Sequence, residues 1–220
     1  EDQNWLHAED AWAVVAGLPV AMLVAWVLAR RDFPGKTLLD GLVHLPLVLP
    51  PVVVGYTLLV LFGREGPIGG WLESVFGIAV AFTWQGALAS GVMAFPLMVR
   101  ALRLSLEAVD PRLESAARTL GASRSGVFAT VTLPLTGPGI IAATILGFAR
   151  SLGEFGATIT FVSNIPGETR TLPLAIYSLV QMPGGEQGAL RLAVIAVILA
   201  LIALAGSELL ARHLRRRIGV

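Results

Sequence analysis

An oppositely charged pair lies inside one of the most apolar stretches of the sequence. Arg150 and Glu154 are four positions apart between residues 138 and 162. This spacing puts both side chains on one face of a helix, where they can form an ion pair. A charge at the centre of a bilayer costs about 3 kcal/mol, so such residues usually face a bundle interior or an aqueous path. The pair predicts either a gate on such a path or a structural salt bridge that orients the helix.

The sequence contains no convincing catalytic motif. Gly35-Lys36-Thr37 matches the tail of a nucleotide-binding P-loop, but Arg30 occupies the position of its first glycine and no strand is predicted before it. The sequence has no cysteine, no histidine cluster at metal-ligand spacing, and no nucleophile beside a base. We therefore expect neither an enzyme nor a metal site.

The composition is that of a membrane protein. Of the 220 residues 55% are hydrophobic and only 14% charged, whereas a soluble domain carries about 25% charged residues. Long apolar segments predict an all-α, polytopic protein that forms one transmembrane domain over residues 1–220 and is surrounded by lipid. The five predicted spans are 11–29, 41–62, 77–99, 138–162 and 189–211. The basic residues lie at the edges of these spans rather than on one face, which excludes a nucleic-acid partner.

Prolines interrupt the second predicted span. Pro46, Pro50 and Pro51 each remove a backbone donor and disfavour helix at the preceding residue. A broken helix is tolerated in a membrane where it faces protein or a water-filled cavity. Pro50 and Pro51 therefore join Arg150 and Glu154 as candidates for a translocation path, with an ordinary packing kink as the alternative.

The basic residues predict the topology. Twelve of the 16 lysines and arginines fall in the connections 30–40 and 100–137 and in the tail after residue 211. By the positive-inside rule these segments and the C-terminus are cytoplasmic, and the N-terminus is outside. Nothing before Ala11 resembles the basic start of a signal peptide.

A polar region, residues 110–134, predicts two short cytoplasmic helices. Asp110 is a suitable N-cap, Pro111 suits the first helical position, and Gly121 suits the C-terminal end. Ser123 is expected to start the second helix and Pro134 to end it. The first helix carries apolar residues at helical spacing, which favours docking into a groove on a partner protein: Leu113, Ala116, Ala117 and Leu120.

This region resembles the cytoplasmic coupling motif of bacterial ABC-importer permeases. The motif reads Glu-Ala-Ala, three residues, Gly, nine residues, an aliphatic residue, one residue, then Leu-Pro. Every element matches except the first, where Ser115 replaces the glutamate and the acid sits one place earlier, at Glu114. The resemblance implies that this set contacts an ATP-binding cassette subunit: Glu114, Ser115, Ala116, Ala117, Gly121, Leu133 and Pro134.

Three longer stretches resemble the permease subunit of bacterial molybdate importers: FPGKTLLDGLVHLPLVLPPVVVGY, RTLGASRSGVFATVTLPLTGPGI and FARSLGEFGATITFVSN. This resemblance implies the type I importer fold, an inner-membrane homodimer, two ATPase subunits that bind ATP and Mg²⁺, and a molybdate-binding protein outside. The chain itself would need no cofactor. Sulfate, thiosulfate or tungstate are alternative substrates, and a proton-coupled secondary carrier is the alternative class.

Overall fold

The computed structural model describes residues 8–81, 87–166 and 169–218, and within these ranges every regular element is a helix. The prediction of an all-α chain is therefore confirmed. The elements are α1 (Ala8–Arg30), α2 (Lys36–Val48), α3 (Pro51–Phe62), α4 (Gly69–Phe76), α5 (Ala87–Glu107), α6 (Pro111–Thr119), α7 (Arg124–Val127), a π-helical turn (Phe128–Thr132), α8 (Leu133–Leu135), α9 (Gly137–Leu152), α10 (Gly156–Phe161), α11 (Leu172–Val180) and α12 (Glu186–Ile218).

Two described helices are long and apolar enough to cross a membrane without a break. They are Leu88–Glu107 and Glu186–Gly206, with mean hydropathies of 1.3 and 2.6. Two bent helix pairs raise the number to four if each pair is one span: Lys36–Val48 with Pro51–Phe62, and Arg124–Leu135 with Gly137–Leu152. Val14–Arg30 is a shorter apolar helix. The described structure thus gives two to four candidate spans by length and composition, and the predicted number of five stays a prediction.

The second and fourth predicted spans are not single straight helices. Residues 41–62 fall on α2 and α3, whose axes differ by 116°. The break lies at Leu49 and Pro50, because Pro50 is the N-cap of α3 and Pro51 its first residue, whereas Pro46 remains inside α2. Residues 138–162 fall on α9 and α10, which are separated by Gly153 to Phe155.

Helix α5 extends well past the predicted end of the third span at Val99. It continues through Arg100 and Arg103 to Glu107. Arg103 donates to Asp40 at 3.2 Å and to Glu107 at 2.8 Å. The charge does not end the helix, because arginine is a good helix former and its guanidinium is paired with a carboxylate on α2 and with one on α5 itself. Residues 82–86, in the first half of the predicted span, lie outside the described residues.

The protein has two apolar cores, both of which contact α5. The first lies where α1 and α9 pack on α5, and the second lies where α3 and α10 pack together and on α5. The first core contains Val14, Ala21, Ala25, Leu28, Ala94, Met98, Val99, Leu102, Leu106 and Ala143. The second contains Val54, Leu58, Val80, Ala81, Ala89, Met93, Ala157, Phe161 and Val162.

Glycine contacts bring helices close together. A Cβ at Gly147 would lie 2.7 Å from the sulfur of Met98 on α5, and one at Gly156 would lie 2.9 Å from Cβ of Pro51 on α3. Gly147 and Gly156 therefore permit the close approach of another helix. Gly153 does not, because it caps the end of α9 and its nearest neighbours are the carbonyls of α9 itself.

Candidate functional site

Helix α6 has the termini that its sequence predicts. The Asp110 carboxylate accepts a hydrogen bond from the backbone N–H of Arg112 at 2.8 Å, and Pro111 is the first helical residue. Gly121 follows the helix with φ +90°, a left-handed conformation in which glycine has no steric penalty. The helix therefore begins and ends where its sequence directs, and its side chains are held in a defined register.

The second helix of this region is longer than predicted. Ser123 accepts a hydrogen bond from the N–H of Gly126 at 3.1 Å and caps the start of α7. The helix then widens into the π-helical turn and continues as α8 to Leu135, one residue past the predicted end at Pro134. Directly after this end the chain bends by 64° into α9, which begins at Gly137.

The outward surface of α6 is apolar and exposed. No residue of α6 is buried, and 49% of Leu113 and 89% of Leu120 is exposed, with Ala116 exposed between them. The two leucines are about two helical turns apart with the small residue between them, an apolar stripe of the kind that docks into a groove on another protein. Leu133 and Pro134 of α8 are exposed as well.

Glu114 attaches α6 to the rest of the protein through hydrogen bonds. One oxygen of its carboxylate accepts from Nη2 of Arg30 at 3.0 Å and from the hydroxyl of Thr132 at 2.8 Å. Ser115, which occupies the position of the motif glutamate, is exposed, and its hydroxyl donates to the carbonyl of Pro111. Glu114 thus connects α6 to the end of α1 and to the π-helical turn, a link between elements that the sequence did not indicate.

Arg150 and Glu154 form the ion pair that their spacing predicts. Nη1 of Arg150 lies 2.6 Å from Oε2 of Glu154, whose side chain is only 1% exposed. Glu154 does not lie in the helix, however, since α9 ends at Leu152. Its other oxygen accepts from the backbone N–H of Ala157 at 2.8 Å, in the first turn of α10. The buried carboxylate therefore joins the two halves of the broken segment, with one oxygen on each half.

The breaks of the two interrupted segments lie against each other. Gly156, at the start of α10, faces Pro51, at the start of α3, and a Cβ at Gly55 would lie 2.5 Å from the carbonyl oxygen of Ala157. The structure therefore brings Pro51 close to the element that Glu154 caps, while Pro50 and Pro51 themselves stay exposed. These paired breaks are distinct from the α6 surface. Within the described residues, no group of three His, Asp or Glu side chains converges as a metal site.

Comparison with known proteins gives a consistent result. The chain matches the family described as binding-protein-dependent transport system inner membrane component over residues 17–220. The molybdenum transport system permease protein ModB of Escherichia coli K12 is 65% identical over 208 residues, which cover 94% of this chain and 91% of that protein. The sulfate transport system permease protein CysT of the same organism is 45% identical over 157 residues, which cover 71% and 56%.

Solved structures share the fold at low sequence identity. A chain of a bacterial alginate ABC transporter, solved with an alginate-bound periplasmic protein, superposes with a TM-score of 0.67 at 21% identity and covers 96% of this chain and 76% of its own. A chain of the methionine ABC transporter MetNI gives 0.64 at 15% identity and covers 96% of both. The helices described above thus form an ABC-importer permease fold, and this chain belongs to the binding-protein-dependent transport system inner membrane component family.

Proposed function

We propose that this chain is the membrane-spanning permease subunit of an ATP-driven molybdate importer. The observation that carries the proposal is the 65% identity to ModB across 94% of the chain. A match of this extent includes the α6 region and both broken segments, so it covers the parts that would couple to an ATPase and line a path. The chain itself would catalyse no reaction.

The exposed surface of α6 is the proposed contact with the ATPase. A coupling contact has to present apolar groups to a partner while its own helix remains rigidly attached to the membrane domain. Leu113, Ala116 and Leu120 supply the first property, and the hydrogen bonds of Glu114 to Arg30 and Thr132 supply the second. ATP and Mg²⁺ would be bound by the ATPase, whose closure would move α6 together with the end of α1.

The complete transporter would contain two copies of this chain, two ATPase subunits and a molybdate-binding protein on the outer side. The paired breaks at Pro50–Pro51 and at Glu154 would lie along the translocation path, because backbone freed from helical bonding is tolerated at membrane depth only where it faces protein or water. Arg150, 26% exposed, could form part of a gate whose charge suits an oxyanion.

The proposed orientation of the chain is based on the distribution of its basic residues. The connections 30–40 and 100–137 hold eight lysines and arginines, which favours the cytoplasmic side for both, with the C-terminus on the same side and the N-terminus outside. This orientation puts α6 where an ATPase is available. Because both connections and the C-terminus would lie on one side and the N-terminus on the other, Val14–Arg30, the α2–α3 segment and the α9–α10 segment would each have to cross the inner membrane.

Transport and coupling can be tested together in proteoliposomes that contain this chain, an ATPase subunit and a molybdate-binding protein of the same source. We expect uptake of labelled molybdate that depends on ATP. Leu120→Asp should abolish both ATPase retention and uptake, because it places a charge on the apolar docking surface. Val180→Asp is the matched control, since Val180 is also an exposed apolar residue, 63% exposed, but lies on α11, on the proposed outer side.

Uptake driven by a pH gradient without ATP would favour a proton-coupled carrier and reject the proposal. Retention of the ATPase by Leu120→Asp would reject the α6 contact. Competition decides the substrate: excess sulfate should leave molybdate uptake intact, whereas equal competition would favour a sulfate permease, for which the 45% identity to CysT is the supporting observation. Tungstate and thiosulfate are tested in the same way.

A further inference from the structure

A cluster of arginines surrounds an open cavity between the end of α1, helix α6 and the start of α7. The cavity has a volume of about 330 Å³, which is within the usual range for small-ligand sites. It is lined by Trp26, Arg30, Arg31, Glu114, Arg118, Arg124, Val127, Phe128 and Thr132. Four arginines and one glutamate give the lining a net charge of +3.

The charge in this cavity is not balanced by the protein. Glu114 is already engaged by Arg30 and Thr132 through one oxygen. Nε of Arg30 is buried and has no hydrogen-bond partner, which is costly for a donor of a charged group. Within the described part of the chain, Arg118 and Arg124 form no ion pair. Exposed guanidinium groups around one cavity, with Glu114 as the single carboxylate in its lining, suit an anionic ligand.

The chemistry of the lining suits an oxyanion such as phosphate. A guanidinium group presents donors in a planar fork that matches the oxygens of a phosphate, and several of them around one cavity suit a group with three or four acceptor oxygens. Arg31 lies 5.3 Å from the ring of Trp26, to which it is held by a cation–π contact. Tryptophan is typical of the membrane–water boundary, where lipid phosphates lie.

We propose that this cavity binds a phosphate group, either the head group of an anionic phospholipid or inorganic phosphate. The ligand would bridge three elements, because Arg30 and Arg31 lie at the end of α1, Arg118 on α6, and Arg124 on α7. It would therefore add a second link between α6 and the end of α1, beside the one that Glu114 makes. The rigidity of α6, the proposed contact with the ATPase, would then depend on the anionic lipid or the phosphate concentration around the protein.

Native mass spectrometry of the full chain in dodecyl maltoside tests this proposal, with dioleoyl phosphatidylglycerol and dioleoyl phosphatidylcholine as lipid probes and sodium phosphate as the free anion. We expect phosphatidylglycerol to bind at least tenfold more tightly than phosphatidylcholine. Each arginine near a phosphate contributes about fivefold in affinity, so Arg118→Gln with Arg124→Gln should weaken binding about 25-fold. Arg112→Gln, on α6 but outside the cavity, should change it less than twofold.

Comparison of the lipid probes with sodium phosphate identifies the source of the phosphate group. Selective phosphatidylglycerol binding that millimolar phosphate does not displace would identify a lipid head group, and binding of phosphate without lipid selectivity, lost in the double variant, would identify the free anion. Equal binding of both lipids with no phosphate binding, or a double variant that binds like the unaltered chain, would overturn the proposal. So would loss of phosphatidylglycerol on addition of the ATPase subunit, since the cavity would then be a protein contact. If the double variant does not fold, Arg31→Gln alone should weaken binding about fivefold.

Discussion

The Arg150–Glu154 pair is unequal in a way that matters for its energetics. Glu154 is buried, with 1% of its side chain exposed, whereas Arg150 is 26% exposed. An unpaired buried charge costs far more than an unpaired charge that reaches water. Glu154 also holds the backbone N–H of Ala157, so its loss affects both the charge balance and the start of α10. Loss of Arg150 should therefore cost more stability than loss of the charge on Glu154.

This inequality predicts an order of stability among variants. Arg150→Met leaves a buried carboxylate without its cation and should destabilise the protein by about 3–5 kcal/mol. Glu154→Gln retains an acceptor for Ala157 and leaves an arginine that can reach water, so it should cost less. The double variant should recover part of the loss. Thermal unfolding midpoints in one detergent give the order, with exposed Arg191 changed to Met as the control, and a midpoint for the double variant below that of Arg150→Met would contradict pairing.

The sequence predicts the local interactions of these residues but not the tertiary contacts around them. The i, i+4 spacing predicts the ion pair, yet it also predicts that Glu154 lies within a helix, because a run of apolar residues conceals the break at Gly153. Likewise, Asp110 and Gly121 predict the ends of α6 from local chemistry alone. The contacts of Glu114 with Arg30 and Thr132 connect positions 84 and 18 residues apart, and no local pattern encodes them.

At the scale of elements, the two interrupted segments pack as a unit. Their breaks meet through residues small enough for backbones to touch, notably Gly55 against Ala157 and Gly156 against Pro51. Prolines predict the first break because they cannot donate to the preceding turn. The second break has no proline, and its partner element is distant in sequence, so only the packed structure shows that the two breaks share a surface.

Replacement of glycine by alanine should have opposite effects on stability at Gly55, in the contact between α3 and α10, and at Gly41, outside it. Gly55→Ala puts a Cβ 2.5 Å from the carbonyl oxygen of Ala157, and such overpacking costs about 1–3 kcal/mol. Gly41→Ala, in α2, meets nothing within 4 Å and should stabilise its helix by about 1 kcal/mol. Thermal midpoints should therefore fall for Gly55→Ala and rise or stay level for Gly41→Ala. An equal response would show that α3 and α10 are not closely packed.

At the scale of the whole molecule, charge and apolarity divide the chain into layers. The segments with most of the lysines and arginines contain α6, the arginine cavity and the ends of α1 and α5, so α6 lies in one of the most basic parts of the protein. Exposed leucines, isoleucines and valines are concentrated on α2, α3 and α12, where lipid or a second copy would cover them. Composition predicts this division well, but not the number of crossings, which depends on how each bent pair is placed in the bilayer.

The proposed orientation can be tested directly because the chain has no cysteine, so each single-cysteine variant carries one reactive thiol. Ser125 lies in the basic region, and Ser74 lies on α4 in the connection between the second and third predicted spans; both are exposed. If the charge asymmetry sets the topology, a membrane-impermeant maleimide should label Ser74→Cys in intact spheroplasts and label Ser125→Cys only after lysis. Both should react fully in detergent, which controls for thiol reactivity. The reverse pattern would place α6 outside and make contact with a cytoplasmic ATPase impossible, whereas labelling of both sites in intact spheroplasts would mean that the segment between them does not separate two sides of the membrane.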